Sequence, residues 1–171
     1  MKELFLKLYK KTENIIINTA FDKSDRPLSF IELLKANKIY NDKMSPQGQI
    51  PGIRLNLIKS FIIFVLLWHI VIIPVLLLSH GILKDVDCHI SIILAVLFTL
   101  LFFGTYFVFK EWLYEKMLLK KIKENWEHHF PLFGYEKNHE MVSRLYTEAL
   151  EKGIAKNKMR LFIFDNLSKA K

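Results

Sequence analysis

The sequence predicts an all-α protein built around a two-span transmembrane helical hairpin, with amphipathic cytoplasmic helices at both ends. Of its 171 residues, 51% are hydrophobic and 25% are charged, and its mean hydropathy is +0.19. The two classes are segregated: no Asp, Glu, Lys or Arg occurs between Lys59 and Lys84 or between Asp87 and Lys110. This distribution excludes an ordinary soluble globule, a disordered chain and a disulfide-stabilised scaffold.

The two uncharged runs are long enough to be membrane spans. They cover residues 60–83 and 88–109, which are 24 and 22 residues, and about 20 helical residues cross the hydrocarbon core of a bilayer. Both runs are apolar on every face, which a chain of this size cannot bury in a soluble core. We therefore predict a transmembrane hairpin over residues 53–109, with spans at about 58–80 and 89–109.

The basic residues predict the orientation of this hairpin. Residues 1–59 hold 11 Lys and Arg against 6 Asp and Glu, residues 110–171 hold 13 against 9, and the connecting turn holds Lys84 against Asp85 and Asp87. Because Lys and Arg beside a span resist translocation, both termini are expected in the cytoplasm. The excess of 21 Lys over 4 Arg suggests an AT-rich coding sequence, and hence the plasma (inner) membrane of a bacterium.

The N-terminal cytoplasmic segment, residues 1–52, contains two predicted helices. In residues 1–18 apolar and basic side chains separate at helical spacing, and this helix either lies on the membrane surface or packs on other cytoplasmic helices. Ser29 and Glu32 form a capping box, which begins a second helix that runs to about Ile39. Loops are predicted at residues 22–27 and 41–52 from their Pro, Gly and Asp content. The apolar side of the first helix comprises Leu4, Phe5, Leu8 and Tyr9, and its polar side comprises Glu3, Lys7 and Lys10, with Lys11 at the edge.

The C-terminal cytoplasmic segment, residues 110–171, is predicted to continue the second span. One helix is expected from about residue 91 to residue 128, because no Gly or Pro interrupts residues 110–130. Residues 131–134 break it, and a further helix begins near Asn138 and ends at a Gly153 cap. Residues 159–167 fit a strand or a helix, and a helix is favoured because no partner strand is evident.

His69 is the candidate polar site inside the membrane, because it lies midway along the first span. An ionisable group at that depth suggests a proton relay or ligand. A neutral imidazole that hydrogen-bonds a neighbouring helix is the plainer explanation. Pro74 cannot donate to the carbonyl of Ile70, which predicts a kink and a freed carbonyl beside His69.

The net charge of +8 predicts contact with anionic lipid headgroups rather than nucleic acid, since no nucleic-acid-binding motif is present. Small residues of the second span, among them Ala95 and Gly104, predict that this span is the packing surface, against the first span or another copy. The first span, rich in Leu, Ile and Val, is expected to face lipid. The candidate headgroup contacts are Lys59, Lys110, Lys116, Lys120, Lys121 and Lys123.

The sequence contains no recognisable catalytic or metal motif. His139 and Glu140 begin like the zinc-protease pattern H-E-x-x-H, but Ser143 stands where the second His is required. The lone cysteine, Cys88, cannot form an internal disulfide. We therefore expect no cofactor and no metal.

These features predict a non-enzymatic subunit that anchors, scaffolds or regulates a larger membrane complex, with protein partners or self-association. The alternative is a small homo-oligomeric channel or transporter with His69 in its pathway. Several copies would then be needed, because two spans enclose no path. An enzyme acting on lipid ranks third, since polar groups are not clustered at the membrane surface.

Overall fold

A computed structural model describes residues 2–22, 26–83 and 88–169. These residues form six helices and no strand, which confirms the all-α prediction. The predicted outer turn at residues 84–87, and residues 23–25 of the predicted loop, lie outside the described residues. The helices are α1 (Lys2–Ala20), α2 (Phe30–Asn41), α3 (Leu57–Leu83), α4 (Cys88–His129), α5 (Tyr135–Glu151) and α6 (Lys156–Lys169).

The chain divides into two compact units. The first, here called the span unit, comprises Met1–Asp22 and Leu55–Leu113. The second, here called the lobe, comprises Lys23–Arg54 and Tyr114–Lys171. Helix α4 contributes residues 88–113 to the span unit and residues 114–129 to the lobe.

Helices α3 and α4 are each long and apolar enough to cross a membrane. Only 6% of the most apolar stretch of α3 is buried, and none of that of α4. Ile70 and Leu78 on α3, for example, are 71% and 87% exposed. A core helix of a soluble protein would cover such side chains, because exposing them to water is unfavourable.

Within the span unit, α3 and α4 pack through aromatic rings. The Phe61 and Phe64 rings lie 5.4 and 5.1 Å from that of Tyr106, and Trp68 lies 5.7 Å from Phe98. At the end of this contact, the hydroxyls of Ser60 and Tyr106 are 3.3 Å apart. Edge-to-face ring pairs at these separations are favourable beyond the area they bury.

The small residues of the second span do not form its contact with α3, and packing of this span against another copy stays a prediction. Gly104 is exposed, and a Cβ atom added to it would meet no atom within 4 Å. The Thr99 hydroxyl donates to the Ala95 carbonyl of its own helix. The rings of Phe98, Phe102 and Tyr106 recur at intervals of four residues and form the contact face instead.

The core of the lobe is formed by α2, α5, α6 and the last turns of α4. Trp126 and Phe130 stack with ring centroids 4.6 Å apart, and Phe130 stacks on Phe164 of α6 at 5.3 Å. The Trp126 indole N–H donates to the Phe133 carbonyl over 2.6 Å, which closes the turn after α4. The largest fully buried side chains include Leu33, Leu34, Ile39, Leu118, Ile122, Val142, Met159 and Ile163.

The lobe confirms several local predictions. Ser29 caps α2 with both bonds of the capping box. After α5, Gly153 has a φ of +63°, and its N–H donates to the Leu150 carbonyl while that of Ile154 donates to Ala149. This pattern is a Schellman cap, in which glycine adopts the left-handed conformation without a Cβ clash. Residues 159–167 are helical, as favoured, and lie within α6.

Candidate functional site

His69 lies on α3 with an exposed side chain. Its Nδ1 is 2.7 Å from the carbonyl oxygen of Val65, four residues earlier on the same helix. This bond pairs one ring nitrogen without any partner helix. The plainer prediction required a bond to a neighbouring helix, and the bond observed is to the backbone of α3 itself. Helix α3 continues through Pro74.

Lys59 and Lys110 flank the apolar stretches of the span unit. Lys59 is exposed. The Lys110 ammonium lies 5.4 Å from the ring centroid of Tyr106 and 5.6 Å from that of Phe107, so its stem covers aromatic surface. Both positions suit a contact with headgroups, which stays a prediction.

The lysines predicted on the lobe part of α4 have different surroundings. Lys120 is 3.9 Å from the Glu124 carboxylate, and Lys123 is 2.6 Å from Glu136 of α5. The bond and charge of Lys123 lower the pKa of Glu136. Lys121 is only 5% exposed, and its ammonium donates to the carbonyl of Arg26 over 3.3 Å. Lys121 therefore makes a contact within the lobe. Lys116 is half-buried and has an interaction partner within the chain.

Lys121, Asn125 and His129 form a polar ladder on one face of α4, because they recur every four residues. All three are buried. The Asn125 Oδ1 accepts from the Leu28 N–H over 2.8 Å, and the His129 Nε2 lies 2.7 Å from the Leu28 carbonyl oxygen. The ladder thus binds the extended main chain that precedes α2. The ladder was not predicted from the sequence, although its i, i+4, i+8 spacing between apolar residues is visible there.

An open groove of about 530 Å³ lies beside this ladder, between the end of α4 and helix α6. Its lining comprises His128, His129, Pro131, Asn157, Arg160, Leu161 and Phe164. His129 is 8% exposed, and its Nδ1 is buried without a hydrogen-bond partner. The exposed Leu161 side chain, 66% accessible, stands at the rim. The groove is thus mainly apolar, with imidazole and guanidinium groups at its edges.

Arg160 is the main charge of this groove. Its guanidinium carbon lies 5.1 Å from the ring centroid of Phe30 and 6.0 Å from that of Phe164. Among the described residues no carboxylate lies within ion-pair distance of it. The Arg160 side chain is exposed, and the planar fork of N–H donors of a guanidinium suits a carboxylate.

The incomplete zinc-protease pattern joins α5 to α2 instead. The His139 Nδ1 lies 2.9 Å from the Asn41 Oδ1, and the His139 carbonyl accepts from the Asn37 amide over 2.7 Å. The Tyr135 ring stacks on His139 at 4.8 Å, and burial raises the pKa of the Tyr135 hydroxyl. These groups serve the packing of α2 on α5. In the part of the chain that the structure describes, no three His, Cys, Asp or Glu side chains group to hold a metal ion.

No protein-family model matches the chain. Searches of curated proteins and of solved structures returned no significant match.

Proposed function

We propose that this chain is a two-span membrane protein whose lobe binds a protein partner, so that it anchors, scaffolds or regulates a larger complex. The observation that carries the proposal is the exposed apolar surface of α3 and α4, of whose most apolar stretches 6% and none is buried. Lipid is the environment in which such a surface is favourable.

The hairpin and its orientation belong to the same proposal. The ring contacts support antiparallel spans, because Phe61 of α3 contacts Tyr106 while Trp68, further along α3, contacts the earlier Phe98. The excess of Lys and Arg on both flanks supports cytoplasmic termini. The composition, with 21 Lys and 4 Arg, favours a bacterial inner membrane.

The groove beside α6 is the proposed partner site. Its apolar lining and its Arg160, which has no described carboxylate partner, suit a protein segment that presents an acidic side chain next to an apolar one. The lobe core does not need Leu161, which is 66% exposed.

The test is extraction from the native membrane in a mild detergent, followed by mass determination and identification of co-purifying chains. We expect a stoichiometric larger partner. Arg160→Glu and Leu161→Glu should remove it, whereas Lys158→Glu, an exposed change on the same helix outside the groove, should retain it. A monodisperse monomer with no co-purifying chain would overturn the proposal.

The second candidate, a homo-oligomeric channel or transporter, is favoured by one observation. His69 is exposed at mid-span in the single chain, where a polar ring is costly unless protein or water meets it. A ring of identical chains in the same extraction would favour this candidate. If His69→Ala then leaves ion flux in liposomes unchanged, His69 does not lie in the pathway.

A further inference from the structure

Helix α1 presents an apolar arc that nothing in the span unit covers. Leu4 and Phe5 are 67% and 73% exposed, and Leu8 and Tyr9 are 61% and 50% exposed. At 100° per residue these side chains share one side of the helix. The buried residues of α1, Ile17 and Ala20, lie in its last turn. The helix is therefore packed at its C-terminal end and uncovered along the rest of its length.

The packed end of α1 is fixed to the start of the first span. The Asn56 N–H donates to the Ala20 carbonyl over 2.9 Å, and Phe21 pairs with Leu55 in an isolated antiparallel bridge. The Asn56 amide also donates to the Asp22 carboxylate over 3.2 Å. Since α3 begins at Leu57, these contacts hold the C-terminal end of α1 beside the first turn of α3, which we propose spans the membrane.

The charges of α1 complement an anionic surface. Lys7, Lys10 and Lys11 are exposed; by helical geometry Lys11 lies at the edge of the apolar arc, and Lys7 and Lys10 lie on the polar side. A helix with an apolar side and a lysine-rich edge binds in the plane of a membrane interface, where its cations meet acidic headgroups.

We propose that α1 is an interfacial helix that binds the surface of an anionic bilayer. Leu4, Phe5, Leu8 and Tyr9 enter the boundary of the acyl chains, and Lys7 and Lys11 contact the headgroups. This inference rests on the proposed membrane insertion of α3. Three observations support it: the uncovered arc, the contacts of residues 20–21 with residues 55–56 at the start of the span, and the complementary charge.

The test places single spin labels on the full chain in nanodiscs and measures collision with oxygen, which enters lipid, and with a water-soluble nickel chelate. The labels are introduced by Leu8→Cys on the arc, Lys10→Cys on the opposite side and Ile70→Cys on α3, each with Cys88→Ser. Nanodiscs contain phosphatidylcholine alone, or equal parts of phosphatidylcholine and phosphatidylglycerol.

We expect the Leu8 label to collide with oxygen and not with nickel in the phosphatidylglycerol discs, and the Lys10 label to show the reverse. The pair Lys7→Glu and Lys11→Glu should return the Leu8 label to nickel contact, whereas Lys156→Glu with Lys158→Glu on α6 should not. A Leu8 label that contacts nickel in both lipids, or that is shielded from both reagents by protein, would overturn the proposal. Insertion that is equal in both lipids would overturn its anionic part.

The Ile70 label separates this failure from a failure of the proposed function. If it contacts oxygen while the Leu8 label contacts nickel, α3 spans the bilayer and only the proposal for α1 is wrong. If it contacts nickel, the membrane insertion of α3 is wrong, and the proposal for α1 is overturned with it.

Discussion

The Nε2 atom of His129 lies 2.7 Å from the carbonyl oxygen of Leu28, and Asn125, one turn earlier on α4, accepts the N–H of the same residue. Both polar groups of one buried peptide segment are thus paired by side chains. This segment leads directly into α2. The hydrogen bonds with Asn125 and His129 therefore fix the start of α2 against α4. Without these partners, the N–H and carbonyl of Leu28 would lose their hydrogen bonds to water on burial and gain none in return.

Asn125→Ala tests the importance of this pairing. It leaves the Leu28 N–H buried without a partner, which costs about 1–3 kcal/mol. We expect faster hydrogen–deuterium exchange throughout the lobe of the detergent-solubilised chain. Asn138→Ala is the matched control, because the hydrogen bond that the Asn138 side chain donates to the Gly134 carbonyl is exposed. Equal exchange in the two variants would contradict the assigned role of Asn125.

The cap of α2 gives a second test. Ser29→Ala removes the side-chain acceptor for the Glu32 N–H, and loss of such a cap costs about 1 kcal/mol. The expected result is a lower midpoint of thermal unfolding of the lobe by circular dichroism, whereas Ser168→Ala near the end of α6 should leave the midpoint unchanged. A Ser29→Ala midpoint equal to that of the native chain would show that the cap contributes nothing.

The same box predicts a dependence on pH. The Ser29 backbone N–H, aided by Arg26, lowers the pKa of Glu32. A lowered folded-state pKa contributes stability above the ordinary glutamate pKa of about 4.3, which is lost as the pH falls through the folded value. We expect Glu32→Gln to reduce the loss in free energy of unfolding of the lobe as the pH is lowered from neutral to acid. If this loss is the same in the variant, other carboxylates cause the dependence on pH.

The elements that the sequence predicted best are those specified by neighbours along the chain. Ser29 and Glu32 are three residues apart, and Gly153 follows the last turn of α5, so each signal is local. The two long apolar helices were predictable for the same reason, since hydrophobic length needs no knowledge of the tertiary fold.

The polar ladder and the groove could not be predicted in this way. Asn125 and Leu28 are 97 residues apart, and nothing local to α4 indicates which main chain lies along it. Lys121, considered alone, suggested a lipid contact because a lysine near a span usually faces headgroups. In the structure its ammonium donates to the Arg26 carbonyl, a contact that no local signal indicates. Arg160 likewise becomes notable only once Phe30 is known to lie beneath it.

Two helix ends provide a matched backbone test. Lys43 follows α2 with a φ of 53°, and Gly153 follows α5 with a φ of 63°. A side chain in this left-handed conformation costs about 1 kcal/mol. Lys43→Gly should therefore raise the free energy of unfolding of the lobe, and Gly153→Ala should lower it by a similar amount. No atom lies within 4 Å of a Cβ built at Gly153, so steric crowding does not contribute. Shifts of the same sign in calorimetry would contradict this explanation.

The ring contacts between α3 and α4 predict which residues hold the span unit together. Phe64 is 5% exposed, and its ring lies 5.2 Å from Phe102 and 5.1 Å from Tyr106. In lipid, packing rather than water exclusion stabilises helix pairs, and one ring pair contributes about 1 kcal/mol. Phe64→Ala should therefore lower the detergent concentration at which the purified chain unfolds. Leu77→Ala, at a 73% exposed position of the same helix, should have little effect. If both changes act equally, the two helices are held together by contacts other than these rings.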